Sequence, residues 1–140
     1  MSLAVVIDKN PKGFKGQTPL HDAARNGRIE IVKIILENIE DKNPKDTEKW
    51  TPFHFAAIKG HAEIVQIFLN LVEDKHPKTI YYGDTPLHFA AKMGYIRICE
   101  MILAKVEEKN PKNNRNETPF SLAKIYGHFD VCNKISEFMD

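Results

Sequence analysis

A four-residue phrase returns along this chain at a nearly fixed step. It reads Thr18-Pro19-Leu20-His21, then Thr51-Pro52-Phe53-His54, Thr85-Pro86-Leu87-His88 and Thr118-Pro119-Phe120-Ser121. The steps are 33, 34 and 33 residues. Such a chain is a stack of one supersecondary unit, because no unit of that size buries its apolar face alone. The expected product is a binding scaffold, before any side chain is considered as a catalyst.

One unit shows how the local structure is written. Thr18 suits a helix N-cap, where its hydroxyl accepts from a free backbone N–H. Pro19 follows at the first helical position, where its missing donor costs nothing. Leu20, Ala23 and Ala24 give a short helix with a small, tightly packing side. Asn26-Gly27 ends it, since Gly tolerates the left-handed conformation at a helix C-terminus. Ile31, Val32, Ile35, Leu36 and Ile39 then recur at the spacing of one helical face. A connector follows, Asp41-Lys42-Asn43-Pro44-Lys45, and it too recurs at residues 8–12, 74–78 and 108–112. Its Pro biases the preceding residue to extended backbone, so no helix runs through. Each unit is therefore predicted to be helix, turn, helix and an extended loop with a tight tip.

Residues 18–36, 51–69, 85–103 and 118–136 stand in register on the phrase Thr-Pro-Leu-His-x-Ala. This pattern resembles the ankyrin repeat, over essentially the whole chain. The resemblance implies an all-α solenoid of stacked antiparallel helix pairs, with hairpin loops projecting to one side. It also implies a role in holding other proteins. The expected organisation is one domain over residues 1–140: a partial unit and connector at 1–17, repeats at 18–50, 51–84 and 85–117, and a capping repeat at 118–140.

The departures from the ankyrin pattern carry their own expectations. Ile39, Val72 and Val106 stand where such units carry Gly. Each extends the apolar face by one i+4 step, which predicts second helices about one turn longer than usual. The extra residue within Thr79–Asp84 predicts a bulged hairpin tip. Leu3 to Ile7 read as a helix tail, with Ile7 in register with Ile39. The chain is thus expected to begin inside a unit, either as a piece of a longer array or behind a native cap of one short helix. Lys124, Lys134 and Ser136 replace small or apolar residues of the earlier units, as suits an end unit that meets water. Either the array ends there or a neighbouring segment has been trimmed.

Composition narrows the function classes. A net charge of +1 with 28% charged residues gives no bias toward nucleic acid or an anionic membrane. No run approaches the roughly 18 to 20 apolar residues of a membrane span. The first residues do not read as a secretory signal. Cys99 and Cys132 occupy the same slot of successive units, where Val32 and Val65 stand earlier. They are expected to be small buried hydrophobes in a reducing intracellular compartment, cytoplasm or nucleus. His21, His54 and His88 sit one unit apart, roughly 10 Å. That is too far to share a zinc ion at about 2.0 Å per bond. Each is expected instead to hydrogen-bond backbone between adjacent loops. His61 and His128 are expected to cap helices or lie at the surface, and His76 takes the Asn slot before Pro77. No His-Glu-x-x-His, Cys-x-x-Cys or glycine-rich phosphate loop occurs. The expectation is no catalytic set, no metal, no cofactor, no nucleic-acid partner and no membrane span, in a monomeric protein.

If the units stack as the resemblance implies, the loop tips and the exposed side of each first helix line a concave groove. Trp50, Tyr81 and Tyr82 are the candidate aromatic anchors for a protein or peptide partner. Ile58 and Met93 add apolar area, and Tyr126 offers a further ring in the fourth unit. Arg25, Lys59 and Lys92 are expected to select acidic side chains. A purely structural role stays open for the aromatics: Trp50 folding back over its hairpin, Tyr82 packing on the next tip. Phe55 and Phe89 are expected to stack on each other along the first helices. The functional expectation is a non-enzymatic protein–protein interaction module. The alternative is a regulatory or targeting segment of a larger multidomain enzyme or channel.

Overall fold

Each Thr-Pro pair opens a helix. In the computed structural model, which describes residues 8–140, eight α-helices run in chain order. They are α1 (Pro19–Arg25), α2 (Ile29–Glu37), α3 (Pro52–Lys59), α4 (Ala62–Leu71), α5 (Pro86–Met93), α6 (Ile96–Leu103), α7 (Pro119–Ile125) and α8 (Phe129–Met139). Among the described residues there is no β-strand. The expected helix tail at Leu3 to Ile7 lies outside the described residues.

The caps follow the sequence closely. Thr18, Thr51, Thr85 and Thr118 each accept from the backbone N–H three residues on, and that residue's side chain accepts from the Thr backbone N–H. This reciprocal pair satisfies two of the donors a helix start leaves free. The turn between the helices of a pair places Gly27, Gly60, Gly94 and Gly127 at positive φ. The residue that follows the glycine in the next unit lies against it. His61, Tyr95 and His128 approach Gly27, Gly60 and Gly94 so closely that a Cβ would meet their rings at 2.5–3.0 Å. His61 and His128 thus stand at the N-cap positions of α4 and α8, as half-buried ring plugs whose side chains make no cap hydrogen bond.

Packing is layered. The inner helices α1, α3, α5 and α7 lie side by side, each beside its own outer helix, and α2, α4, α6 and α8 form the second row. Alanines at 23, 24, 56, 57, 90, 91 and 123 let the inner helices approach closely, and all are buried. Between the rows, Leu20, Phe53, Leu87, Val32, Ile64, Phe68, Ile98 and Ile102 form one continuous core. Cys99 and Cys132 lie in it, and burial pushes the Cys99 thiol up to about 12.

The outer helices are not extended by a turn. α2, α4 and α6 stop at Glu37, Leu71 and Leu103, before Ile39, Val72 and Val106. Val72 and Val106 remain buried nonetheless, and Ile39 packs on the core. The apolar period thus continues while the helix does not. A connector lysine folds back onto each of these helix ends. Lys42 Nζ donates to Leu36 O and Ile39 O, Lys75 Nζ to Val72 O (2.7 Å), and Lys109 Nζ to Leu103 O (2.8 Å) and Val106 O. In α2 and α6 the ammonium takes a carbonyl of the last helical turn, which suits the negative end of the helix dipole. The preceding acid closes a turn of its own: Asp41 Oδ1 accepts from Asn43 N, and Glu108 Oε1 from Asn110 N. Asn10 and Asn110 then reach forward, their Oδ1 atoms accepting from Leu20 N and Phe120 N at 3.0 and 3.1 Å.

Candidate functional site

The hairpins are set by the repeated histidine. In His21, His54 and His88, Nδ1 accepts from the Thr backbone N–H at 3.0, 3.0 and 3.1 Å. The proton therefore sits on Nε2, which donates to the following loop. His21 reaches Trp50 O (2.9 Å), His54 reaches Pro77 O (2.8 Å) and Asp84 O (3.1 Å), and His88 reaches Glu117 O (2.9 Å). All three rings are buried. Burial pushes His54 down to about 4, and lowers His21 and His88 as well. They are neutral struts near pH 7. Ser121 takes the slot in the fourth unit, and its Oγ accepts from Thr118 N at 2.8 Å.

Successive tips are tied by backbone hydrogen bonds: Thr47 N to Lys15 O, Ile80 N to Glu48 O and Asn114 N to Tyr82 O. Each hairpin closes across Gly13–Gln17, Asp46–Trp50, Thr79–Asp84 or Asn113–Glu117. The third spans one residue more than the others, and the surplus falls in the Ile80-Tyr81-Tyr82 tip, as the sequence predicts.

Trp50 turns inward from its hairpin. Its ring lies between Phe55 (centroids 4.9 Å apart, planes at 30°) and Phe89 (4.6 Å, 23°). Phe55 and Phe89 thus do not stack on each other: the indole separates them. The Arg25 guanidinium lies 5.4 Å from the Phe55 centroid and extends the row by a cation. This row crosses three inner helices and floors the space between hairpins and helices. Trp50 is half-buried and keeps an exposed edge.

Two hollows flank that floor. One, of about 230 Å³, is walled by Lys15, Gln17, Thr47, Glu48, Trp50 and Phe55. The other, of about 110 Å³, lies among Tyr82, Phe89, Lys92, Arg115 and Tyr126. Here each cation lies over a ring, Arg115 over Tyr82 at 3.7 Å and Lys92 over Tyr126 at 5.4 Å. A wider trough of about 910 Å³ runs between the connectors near residues 8–12 and 38–44, with no aromatic side chain on its walls.

The anticipated site residues therefore divide. Trp50, Tyr82, Lys92 and Tyr126 surround the two hollows. Ile58, Lys59 and Met93 stand at the C-terminal ends of α3 and α5, with Lys59 and Met93 exposed. Tyr81, at 70% exposure, sits on the tip. Arg25 is engaged by Asp22 Oδ1 (2.6 Å) and Gln17 Oε1 (3.0 Å). The expected set omits Arg115, whose place at the fourth tip was its only sequence signal, and the floor residues Phe55 and Phe89. Among the described residues no group of three His, Cys, Asp or Glu is placed to hold a metal. No described helix is long and apolar enough to cross a membrane.

A stack of helix pairs with tied hairpins and an aromatic-floored groove defines a helical repeat solenoid. The family described as ankyrin repeats (3 copies) matches residues 3–46 and 39–113. The chain belongs to the ankyrin repeat family. Ankyrin repeats are generally protein–protein interaction modules, and the family is typically non-enzymatic. No curated protein matches this chain.

Proposed function

We propose that this chain is a non-enzymatic interaction module that holds a protein or peptide segment in the groove between its hairpins and inner helices. The observation that carries this reading is the Phe55–Trp50–Phe89 row. It gives the groove a rigid apolar floor, with Ile58, Met93, Tyr82 and Tyr126 exposed or half-exposed around it. Aromatic groups with apolar neighbours and a charged rim are what interface hot spots are made of. The groove also needs little ordering on binding, since the histidine struts already fix the hairpins, and preorganisation of that kind favours affinity.

The test is a selection of binders from a displayed library of random peptides, followed by mapping on the isotope-labelled chain. Amide shifts clustered at Ile58, Lys59, Lys92, Met93 and Tyr126 are the expected result. Binders that perturb only the outer helices α2, α4 and α6 would refute the groove as the binding face.

A further inference from the structure

Three joints between layers are built the same way at the turn. His61, Tyr95 and His128 stand at the N-cap positions of α4, α6 and α8. Each lays its ring against the glycine of the layer before, Gly27, Gly60 and Gly94. The glycine is what admits the ring, since a Cβ there would lie 2.5–3.0 Å from it. At the first joint the ring also forms a hydrogen bond: His61 Nε2 donates to Arg25 O at 3.0 Å. Gly127 repeats the backbone, with φ of 78°. Among the described residues nothing lies within 4 Å of the place its Cβ would take. The fourth turn therefore presents the same glycine surface to solvent.

The residues two places to either side of Gly127 are apolar and exposed, Ile125 at 69% and Phe129 at 62%. Phe129 fills the slot of Ala62 and Ile96, which pack on the core in their own layers. Other parts of the same end are polar. Lys124 stands in the slot of Ala57 and Ala91, both at 0% exposure. It is exposed and has no ion-pair partner among the described residues. Ser136 replaces the buried Leu69 and Leu103. Ser121 returns its hydroxyl to Thr118 O at 3.0 Å, where the histidines of the earlier units reach the following loop. A whole helix pair laid over this end would bury the Lys124 ammonium unpaired, which is costly. The end suits a contact confined to the turn.

We propose that the turn between α7 and α8 is a second docking site, separate from the groove, and that it takes a histidine or tyrosine ring at the start of a helix of a partner protein. The occupant is read from the three joints inside the molecule, where such a ring sits on such a glycine each time. The bound ring lies on Gly127 beside Ile125 and Phe129, and an imidazole N–H meets Ile125 O, the carbonyl in the slot of Arg25 O. Rings seated among apolar neighbours are common anchors of interfaces. A second copy of this chain suits the site less. Its first turn carries Arg28, not a ring, in the slot of His61, Tyr95 and His128. A two-fold pairing of this end would set one Lys124 against the other.

The test selects binders of the whole chain from a displayed library of random dodecapeptides, with counter-selection on Gly127→Ala, whose methyl group takes the place of the ring. Affinities are measured by fluorescence anisotropy. The expected survivors carry His or Tyr. They should lose roughly thirtyfold in affinity when that ring is replaced by Ala, the scale of an interface hot spot, and a similar factor on Gly127→Ala. They should shift the amides of Gly127 and Phe129 in the isotope-labelled chain, and should bind Trp50→Phe, altered in the groove floor, as they bind wild type. Survivors without a ring, or no peptide that tells the two chains apart, overturn the proposal. Circular dichroism checks the helicity of Gly127→Ala. If that variant does not fold, Phe129→Ser, at an exposed position, takes its place in both the selection and the affinity measurement. Sedimentation equilibrium tests the remaining occupant: a dimer of wild type that dissociates in Phe129→Ser would overturn the partner ring and assign this end to a second copy.

Discussion

Trp50 lies nearly parallel to Phe89, ring centroids 4.6 Å apart, so the hairpin before α3 is clamped onto α5. One side chain therefore serves both the fold and the groove. Truncating it should be felt in stability as well as in binding. Trp50→Ala is expected to lower the unfolding free energy by about 2–4 kcal/mol, somewhat below the values for fully buried large aromatics because the ring is half-buried. Trp50→Phe should recover most of it. Tyr81→Ala, on the exposed tip, should stay within about 0.5 kcal/mol of wild type. Urea unfolding of the three variants checks the ordering. An unaltered midpoint in Trp50→Ala would mean the ring row carries no stability.

The histidine struts predict an acid transition. The His54 imidazole is held at about 4 by burial, below its ordinary value of 6.5. Between these values the unfolded chain binds the proton and the folded chain does not. The contribution of His54 is thus fully present above about pH 6.5 and is lost as pH falls toward 4, on the order of 3 kcal/mol in all. His21 and His88 are shifted in the same direction and add to the loss. Thermal midpoints between pH 7 and 4 should fall steeply, and the slope should be shallower in His54→Asn. Equal slopes would show that this ring does not control the transition.

The connector lysines should behave as helix stops. Lys109→Met removes the ammonium from Leu103 O and Val106 O and is expected to cost about 1–2 kcal/mol, as for a hydrogen bond from a charged group. Lys105→Met, four residues earlier and exposed, should cost less than about 0.5 kcal/mol. Chemical denaturation of the pair separates a capping role from general surface charge.

Two glycines with the same backbone should respond differently. Gly94 and Gly127 have φ of 75° and 78°. A Cβ at Gly94 would meet His128 Nδ1 at 2.5 Å, whereas one at Gly127 meets nothing within 4 Å. Gly127→Ala should cost only the left-handed strain of about 1–2 kcal/mol. Gly94→Ala should cost that plus the displacement of the His128 ring. Equal losses in the two variants would mean that the ring moves aside freely.

The helix starts, turns and stacking were legible because each is written in local chemistry and then repeated. Thr18, Pro19 and Gly27 carry their roles within a few residues, and the period exposes them four times. The histidine struts were legible for the same reason. The helix stops at Glu37, Leu71 and Leu103 were not. The apolar period continues through Ile39, Val72 and Val106, while a lysine folding back from the connector takes carbonyls at the helix end. That contact joins positions whose types say nothing about it. The position of Trp50 between Phe55 and Phe89 was equally hidden, since it joins a hairpin to two helices in different layers. Arg115 lacked any signal beyond its tip position, because its stacking partner Tyr82 lies in the neighbouring hairpin.

Each imidazole of the Thr-Pro-x-His phrase reaches one layer ahead and no further. Links of that kind are in series, so a pull along the stack loads every joint with the same tension and the weakest parts first. The same arrangement makes the chain editable: splicing a whole copy of residues 51–84 between neighbouring layers would hand every strut a carbonyl of the kind it already holds, and lengthen the molecule without rewriting any of its joints.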